Sequence, residues 1–149
     1  MILNSPKDIN LVKKETGKKK ILYVEDDRNS QFLVEHLLRN SYDVDIAPQA
    51  KGVMEWVRQK DYDLILMDIK LDDGYSGIDL TRKIRTLPNY KGVPIIAVTA
   101  IAFPDQLSDM VVNGCTDTIT KPLDFKLLKS KIANLLAQAQ NSGNLSMYL

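Results

Sequence analysis

Cysteine and histidine each occur once in the 149 residues, as Cys115 and His36, and there is a single tryptophan. A lone cysteine excludes a disulfide framework within the chain and any multi-thiolate zinc site, and it fits a reducing compartment. A lone histidine excludes a multi-histidine metal centre. His36 lies in the helix-like stretch Gln31-Phe32-Leu33-Val34-Glu35-His36-Leu37-Leu38 and reads as a surface or partly packed residue, not a catalyst. No apolar run approaches the roughly 20 residues of a membrane span, and no secretory leader is legible, so the expected location is cytoplasmic. A glycine-rich phosphate cradle is also missing after the first apolar run; Glu25-Asp26-Asp27 stand there and repel phosphate. What remains is ordinary: 44% hydrophobic and 26% charged residues, enough for one domain with a real core and too little for two.

Charge is unevenly placed. Residues 1–20 carry six lysines against Asp8 and Glu15, while the whole chain has a formal charge of only +1, so the remainder is slightly acidic. A nucleic-acid-binding domain would carry its basic face on the folded part. The basic head is therefore read as a solvated extension over residues 1–19, and direct nucleic-acid binding is not expected.

From residue 20 the pattern alternates between short apolar runs and amphipathic stretches. Strands are expected at Ile21–Val24, Asp43–Ile46, Leu64–Met67, Pro94–Val98 and Thr118–Ile119. Helices are expected at Asn29–Arg39, Ala50–Gln59, Ile78–Arg85, Asp105–Val112 and Asp124–Ala139. Asn113-Gly114 provides a stop for the fourth helix. Strands that are apolar throughout are covered on both faces, which indicates a parallel sheet in an α/β fold.

Five polar residues sit at the exits of those runs: Asp26 and Asp27 after the first, Asp68 after the third, Thr99 after the fourth and Lys121 after the fifth. In an open parallel sheet all such exits lie on one edge, where ligands bind. Three carboxylates, a hydroxyl and an ammonium then converge. That set suits a hard cation, which takes oxygen ligands, together with a phosphoryl group. Crowded carboxylates repel, so an empty site raises the pKa of at least one of them. Taken singly, each residue has a plainer role: Asp27 as a helix cap, Thr99 as a strand end, Lys121 on a surface loop.

Leu22-Tyr23-Val24-Glu25-Asp26-Asp27, Leu64-Ile65-Leu66-Met67-Asp68-Ile69-Lys70, Val98-Thr99-Ala100 and Ile119-Thr120-Lys121-Pro122, in that order, resemble the receiver domain of two-component response regulators over about residues 20–138. The resemblance implies a doubly wound, flavodoxin-like (βα)5 fold with strand order 2-1-3-4-5. It divides the chain into the basic extension (1–19), a receiver domain (20–140) and a flexible tail (141–149). It also implies a phosphoacceptor signalling protein and not an enzyme. Asp68 would take a phosphoryl group from phosphohistidine on a histidine kinase or histidine phosphotransfer protein. Asp26, Asp27, Asp68 and the backbone carbonyl of Lys70 would hold Mg²⁺ (or Mn²⁺), with Glu25 one step behind them. Thr99, Ala100 and Lys121 would receive the phosphoryl oxygens, and a cis Lys121–Pro122 bond is implied. Movement of Thr99 would then switch contacts with a protein output partner of unknown identity.

Three positions depart from the family pattern. Thr118 stands where an aromatic switch residue is usual, three before Lys121. The loop Leu71-Asp72-Asp73-Gly74-Tyr75-Ser76-Gly77 has no proline and adds two acids. Lys70 lies two after Asp68, within reach of an attacking water. Thr118 keeps a second reading open, a degenerate receiver that binds a protein partner without phosphorylation. An aspartate-nucleophile hydrolase of the haloacid-dehalogenase type needs a second acid at position 70, where this chain has lysine. The segment from Phe103 to Gly114 resembles receivers of hybrid histidine kinases as much as stand-alone regulators, and the start at Met1 favours the latter.

Overall fold

A computed structural model describes residues 16–71, 74–100 and 103–146, with side chains through Asn141. Five strands form one parallel sheet: β1 (Lys20–Val24), β2 (Asp43–Ala47), β3 (Leu64–Asp68), β4 (Ile95–Thr99) and β5 (Asp117–Thr120), in the order β2-β1-β3-β4-β5. Five α-helices connect or follow them: α1 (Arg28–Leu38), α2 (Val53–Gln59), α3 (Gly77–Arg85), α4 (Pro104–Val112) and α5 (Phe125–Ser146). The expected fold class and strand order are both observed.

Alternate side chains of each strand point to opposite faces, and both faces are covered. Leu22, Val24, Ile65, Met67, Ile95 and Ala97 pack against Val53 and Val57 of α2, Leu80 and Ile84 of α3 and Met110 of α4. Ile21, Tyr23, Leu64, Leu66, Ile96, Val98 and Ile119 pack against Val34 and Leu38 of α1 and Leu128 and Ile132 of α5. All five residues of β3 and of β4 are buried, whereas the edge strands β2 and β5 are only half-buried. That contrast is why the middle strands read as unbroken apolar runs and the edges do not.

Two helices differ from the periodicity. The spacing predicts α2 from Ala50, but the helix starts at Val53. Gly52 caps it in the left-handed region (φ +90°), and Ala50 and Lys51 form the turn before it. Toward the C-terminus, α5 continues through Ser146, past the predicted end at Ala139 and across most of the expected tail. The first four described residues are tied to the domain. The Thr16 hydroxyl donates to Asp43 (2.5 Å), the Lys18 ammonium to the Arg39 carbonyl (3.3 Å), and the Asp43 N–H to the Lys19 carbonyl (2.9 Å). The rest of the basic extension, residues 1–15, lies outside the described residues, as do 147–149.

Arg85 closes the far side of the molecule. Its guanidinium donates to the Gly114 carbonyl (2.9 and 2.8 Å), to the Tyr90 carbonyl (2.5 Å) and to the Val93 carbonyl (2.6 Å). One side chain on α3 thus satisfies carbonyls in the turns before β4 and before β5. Burial holds its pKa below the ordinary arginine value, offset in part by Cys115. Among the described residues, no helix is long and apolar enough to cross a membrane.

Candidate functional site

The C-terminal ends of β1, β3, β4 and β5 meet on one edge of the sheet, where the connections after β1 and β3 leave in opposite directions. This is where ligands bind in open α/β sheets. Asp68 is the last residue of β3 and only 4% exposed. Its register partner on β4 is Val98, one residue before Thr99, which is also buried. Thr99 pairs with Thr120 on β5, so the next residue, Lys121, leaves the sheet beside it. The Lys121 N–H donates to the Thr99 carbonyl at 2.8 Å, and the Lys121–Pro122 bond is cis, as the family resemblance implies.

Lys121 bridges two acids. Its ammonium lies 2.9 Å from Glu25 Oε1 and 3.1 Å from Asp68 Oδ2. The other Asp68 oxygen accepts the Lys70 N–H at 3.2 Å. Burial by itself would lower the lysine pKa, but the hydrogen bonds and charges of Glu25 and Asp68 win and hold it above its ordinary value. Glu25 is fully buried. Its pKa is pushed up to about 7, first by burial and then by the neighbouring carboxylate of Asp68, against the opposing pull of Lys121. The Gln31 side chain fixes the Glu25 backbone by donating to its carbonyl at 2.6 Å.

Close packing of backbone positions Asp68. The Gly77 N–H donates to the Ile69 carbonyl at 2.9 Å. A Cβ at Gly77 would lie 2.0 Å from the Asp68 carbonyl oxygen and 2.9 Å from two further backbone carbons. Only a residue without a side chain lets the start of α3 come this close to the end of β3.

The carboxylate set differs from the expected one by a single residue. Glu25, Asp26 and Asp68 each offer an oxygen, and these lie within 4.8 Å of one another. Asp27 does not join them. It is the N-cap of α1 and accepts from the Ser30 N–H (2.9 Å) and the Ser30 hydroxyl (2.7 Å). Those bonds, the side-chain one first, hold its pKa below the ordinary value. The reason is local geometry. The Glu25 N–H still bonds the Ala47 carbonyl (3.0 Å), so Glu25 keeps strand geometry and turns its side chain inward, while the chain has already turned into the helix at Asp27. The signal was present in the sequence, since an aspartate just before a helix start is a favoured cap.

The remaining predicted positions divide. Ala100 is exposed just beyond β4, and Thr118 is half-buried on β5 in register with Ala97. Lys70 pairs with Ser76 in an isolated bridge that closes the loop after β3; Asp72 and Asp73 lie outside the described residues.

The donor set fits Mg²⁺. Glu25, Asp26 and Asp68 bring carboxylate oxygens within 4.8 Å of one another, and a bound cation would ease the repulsion of such crowded groups. All donors are hard oxygens, which suits Mg²⁺ with several of its own waters retained.

Comparison with known proteins agrees with this geometry. The family model described as "Response regulator receiver domain" matches residues 21–133. The hybrid signal transduction histidine kinase M of Dictyostelium discoideum is 36% identical over 121 residues, covering 78% of this chain and 5% of that protein. The transcriptional regulatory protein ZraR of Klebsiella oxytoca is 32% identical over 123 residues, covering 82% of this chain and 27% of that protein. The chain thus spans only a small part of the length of these curated relatives. Among solved structures, the receiver domain of the sensor histidine kinase PA1611 of Pseudomonas aeruginosa PAO1 is 30% identical with a TM-score of 0.73, covering 80% of this chain and 98% of that one. Its description records a magnesium ion coordinated in the active site cleft.

Proposed function

The chain belongs to the response regulator receiver family, and we propose that it takes a phosphoryl group from phosphohistidine onto Asp68 and thereby switches its contacts with a protein partner. Receiver domains are signalling switches and not enzymes in the usual sense. The observation that carries the reading is Lys121 held between Glu25 and Asp68 at hydrogen-bond distance, with Asp68 buried at the end of the central strand.

In the proposed step, a carboxylate oxygen of Asp68 attacks the phosphorus of a phosphohistidine on a histidine kinase or phosphotransfer protein. The new P–O bond forms as the P–N bond breaks, and the imidazole leaves and takes up a proton. Asp26 and Asp68, with Glu25 beside them and the Lys70 backbone carbonyl, would hold Mg²⁺, which would supply positive charge to the transferring oxygens. Lys121 supplies a second positive charge. It is close enough to move from Asp68 Oδ2 to a phosphoryl oxygen bound on the same carboxylate. Thr99, buried one strand away, donates its hydroxyl to the phosphoryl group, and Ala100 leaves room for it. The loop after β4 then shifts and biases the surface of α4, β5 and α5 between two states. A cytoplasmic site of action goes with these partners.

A second reading, a phosphorylation-independent binding module, is favoured by Thr118, which offers no aromatic ring to rotate behind Thr99. A phosphate-affinity gel separates the two. Wild type and Asp68→Asn are incubated with acetyl phosphate or a phosphorylated phosphotransfer protein, with and without Mg²⁺. A shifted band that requires both Asp68 and Mg²⁺ supports the phosphoacceptor. No shift from either donor leaves the binding module.

A further inference from the structure

Three buried side-chain polar atoms lack a hydrogen-bond partner among the described residues: the Tyr23 hydroxyl, Glu25 Oε2 and the Thr81 hydroxyl. Buried polar groups without a partner are rare enough that each calls for a reason. Two of these three belong together. Tyr23 and Glu25 stand two residues apart at the end of β1, and Glu25 keeps the strand's hydrogen bonding to Ala47. Side chains at that spacing leave a strand on the same face. Both residues are 0% exposed. One offers a donor and the other an acceptor. The phenol's pKa is raised first by burial and then by the neighbouring charge of Glu25, so it keeps its proton.

The other bonds of Glu25 leave this oxygen open. Lys121 engages Oε1 at 2.9 Å, and Gln31 engages the backbone carbonyl at 2.6 Å. We infer that Tyr23 is a positioning residue for the site: its O–H is the donor for Glu25 Oε2 and holds that carboxylate facing Asp26 and Asp68. With Lys121 on one oxygen and Tyr23 on the other, the carboxylate plane is fixed. Tyr23 matters most when Lys121 turns from Glu25 toward the phosphoryl group, because it is then the donor that stays. The inference deepens the phosphoacceptor reading and rests on it for the role of the cation.

The test uses the full chain as wild type, Tyr23→Phe, Glu25→Gln and the double variant. Two measurements are made: proton NMR without metal, and Mg²⁺ titration followed by calorimetry. Full burial slows exchange of the Tyr23 hydroxyl proton, so it gives a resonance absent from Tyr23→Phe and moved in Glu25→Gln. Tyr23→Phe is expected to weaken Mg²⁺ binding about tenfold, the usual scale for a residue that orients a ligand. Added to Glu25→Gln, it should weaken binding no further. A hydroxyl resonance indifferent to Glu25→Gln overturns the pairing. Equal weakening in both backgrounds also overturns it, because Tyr23 would then act through core packing alone. If wild type takes up no Mg²⁺ while the resonance still responds to Glu25→Gln, the pairing stands and the cation reading of the site falls.

Discussion

Replacing Gly77 by alanine adds one methyl group at the point where α3 meets the end of β3. That carbon would sit 2.0 Å from the Asp68 carbonyl oxygen and 2.9 Å from the Asp68 carbonyl carbon and Ile69 Cα. Comfortable contact between carbon atoms begins at roughly 3.5 Å, so helix or strand must retreat by on the order of 1 Å. The atoms in the way are backbone in the middle of the sheet and have no rotamer to change. Overpacking of this kind costs about 1–3 kcal/mol. The retreat also stretches the bond from the Gly77 N–H to the Ile69 carbonyl, now 2.9 Å, a loss of about 1 kcal/mol. Alanine recovers up to about 1 kcal/mol through helix propensity. The net expectation is a loss of about 1–3 kcal/mol, a large share of a typical domain's 5–15 kcal/mol. Urea denaturation reads it as a lower midpoint at unchanged slope. Gly92→Ala is the control: a Cβ there meets nothing within 4 Å, and its midpoint should stay within about 0.5 kcal/mol of wild type. Gly77→Ala should also slow phosphorylation of Asp68, whose backbone has been pushed. A Gly77→Ala protein as stable as wild type would refute the argument that this contact fixes Asp68.

Three further outcomes follow from other contacts. With chelator present, stability should fall as pH rises from about 4.5 to 7. The folded state holds on Glu25 a proton that the unfolded state releases from pH 4.5 upward, and the difference is on the order of 3 kcal/mol. The wild-type decline should exceed that of Glu25→Gln; parallel profiles for the two proteins would contradict it. Asp27→Ala should lower the urea midpoint, as loss of a helix cap does, and leave Mg²⁺ affinity unchanged in calorimetry; a large loss of affinity would return Asp27 to the metal set. Arg85→Met should destabilise by about 2–4 kcal/mol, since it strands the part-buried carbonyls of Gly114, Tyr90 and Val93. Thermal melts check this, and a change below 1 °C would show that water replaces the guanidinium.

Much of the fold was legible because the middle strands are buried on both faces. Leu64–Met67 and Ile95–Val98 carry no polar residue to blur their limits, and the first polar residue after each marks the edge where the site forms. Asp68 and Thr99 were found that way, and Lys121 by its place after the short edge strand. Other details depend on events that apolar periodicity does not report. Whether Glu25 or Asp27 faces Asp68 turns on where β1 stops and α1 starts, a matter of one backbone hydrogen bond to Ala47. The start of α2 is set by a left-handed glycine, not by Ala50. The extension of α5 past Ala139 runs through Gln, Asn, Ser and Gly with a single Leu145, too few apolar residues to make a stripe that announces it.

The phosphoacceptor candidate ends the strand with two neighbours on either side, and every residue of that strand is buried. By contrast, α4 contributes a single fully buried residue, Met110, and β5 is an edge strand with one, Ile119. Local opening free energies follow such differences in burial and span from nearly zero to the global value. Amides of β3 should therefore exchange with solvent only through global unfolding, and those of α4 and β5 through local fluctuations. In the proposed cycle, chemistry and readout would thus occupy opposite ends of one gradient of cooperativity, so a charge added to the stiffest strand would be sensed where the molecule opens most easily.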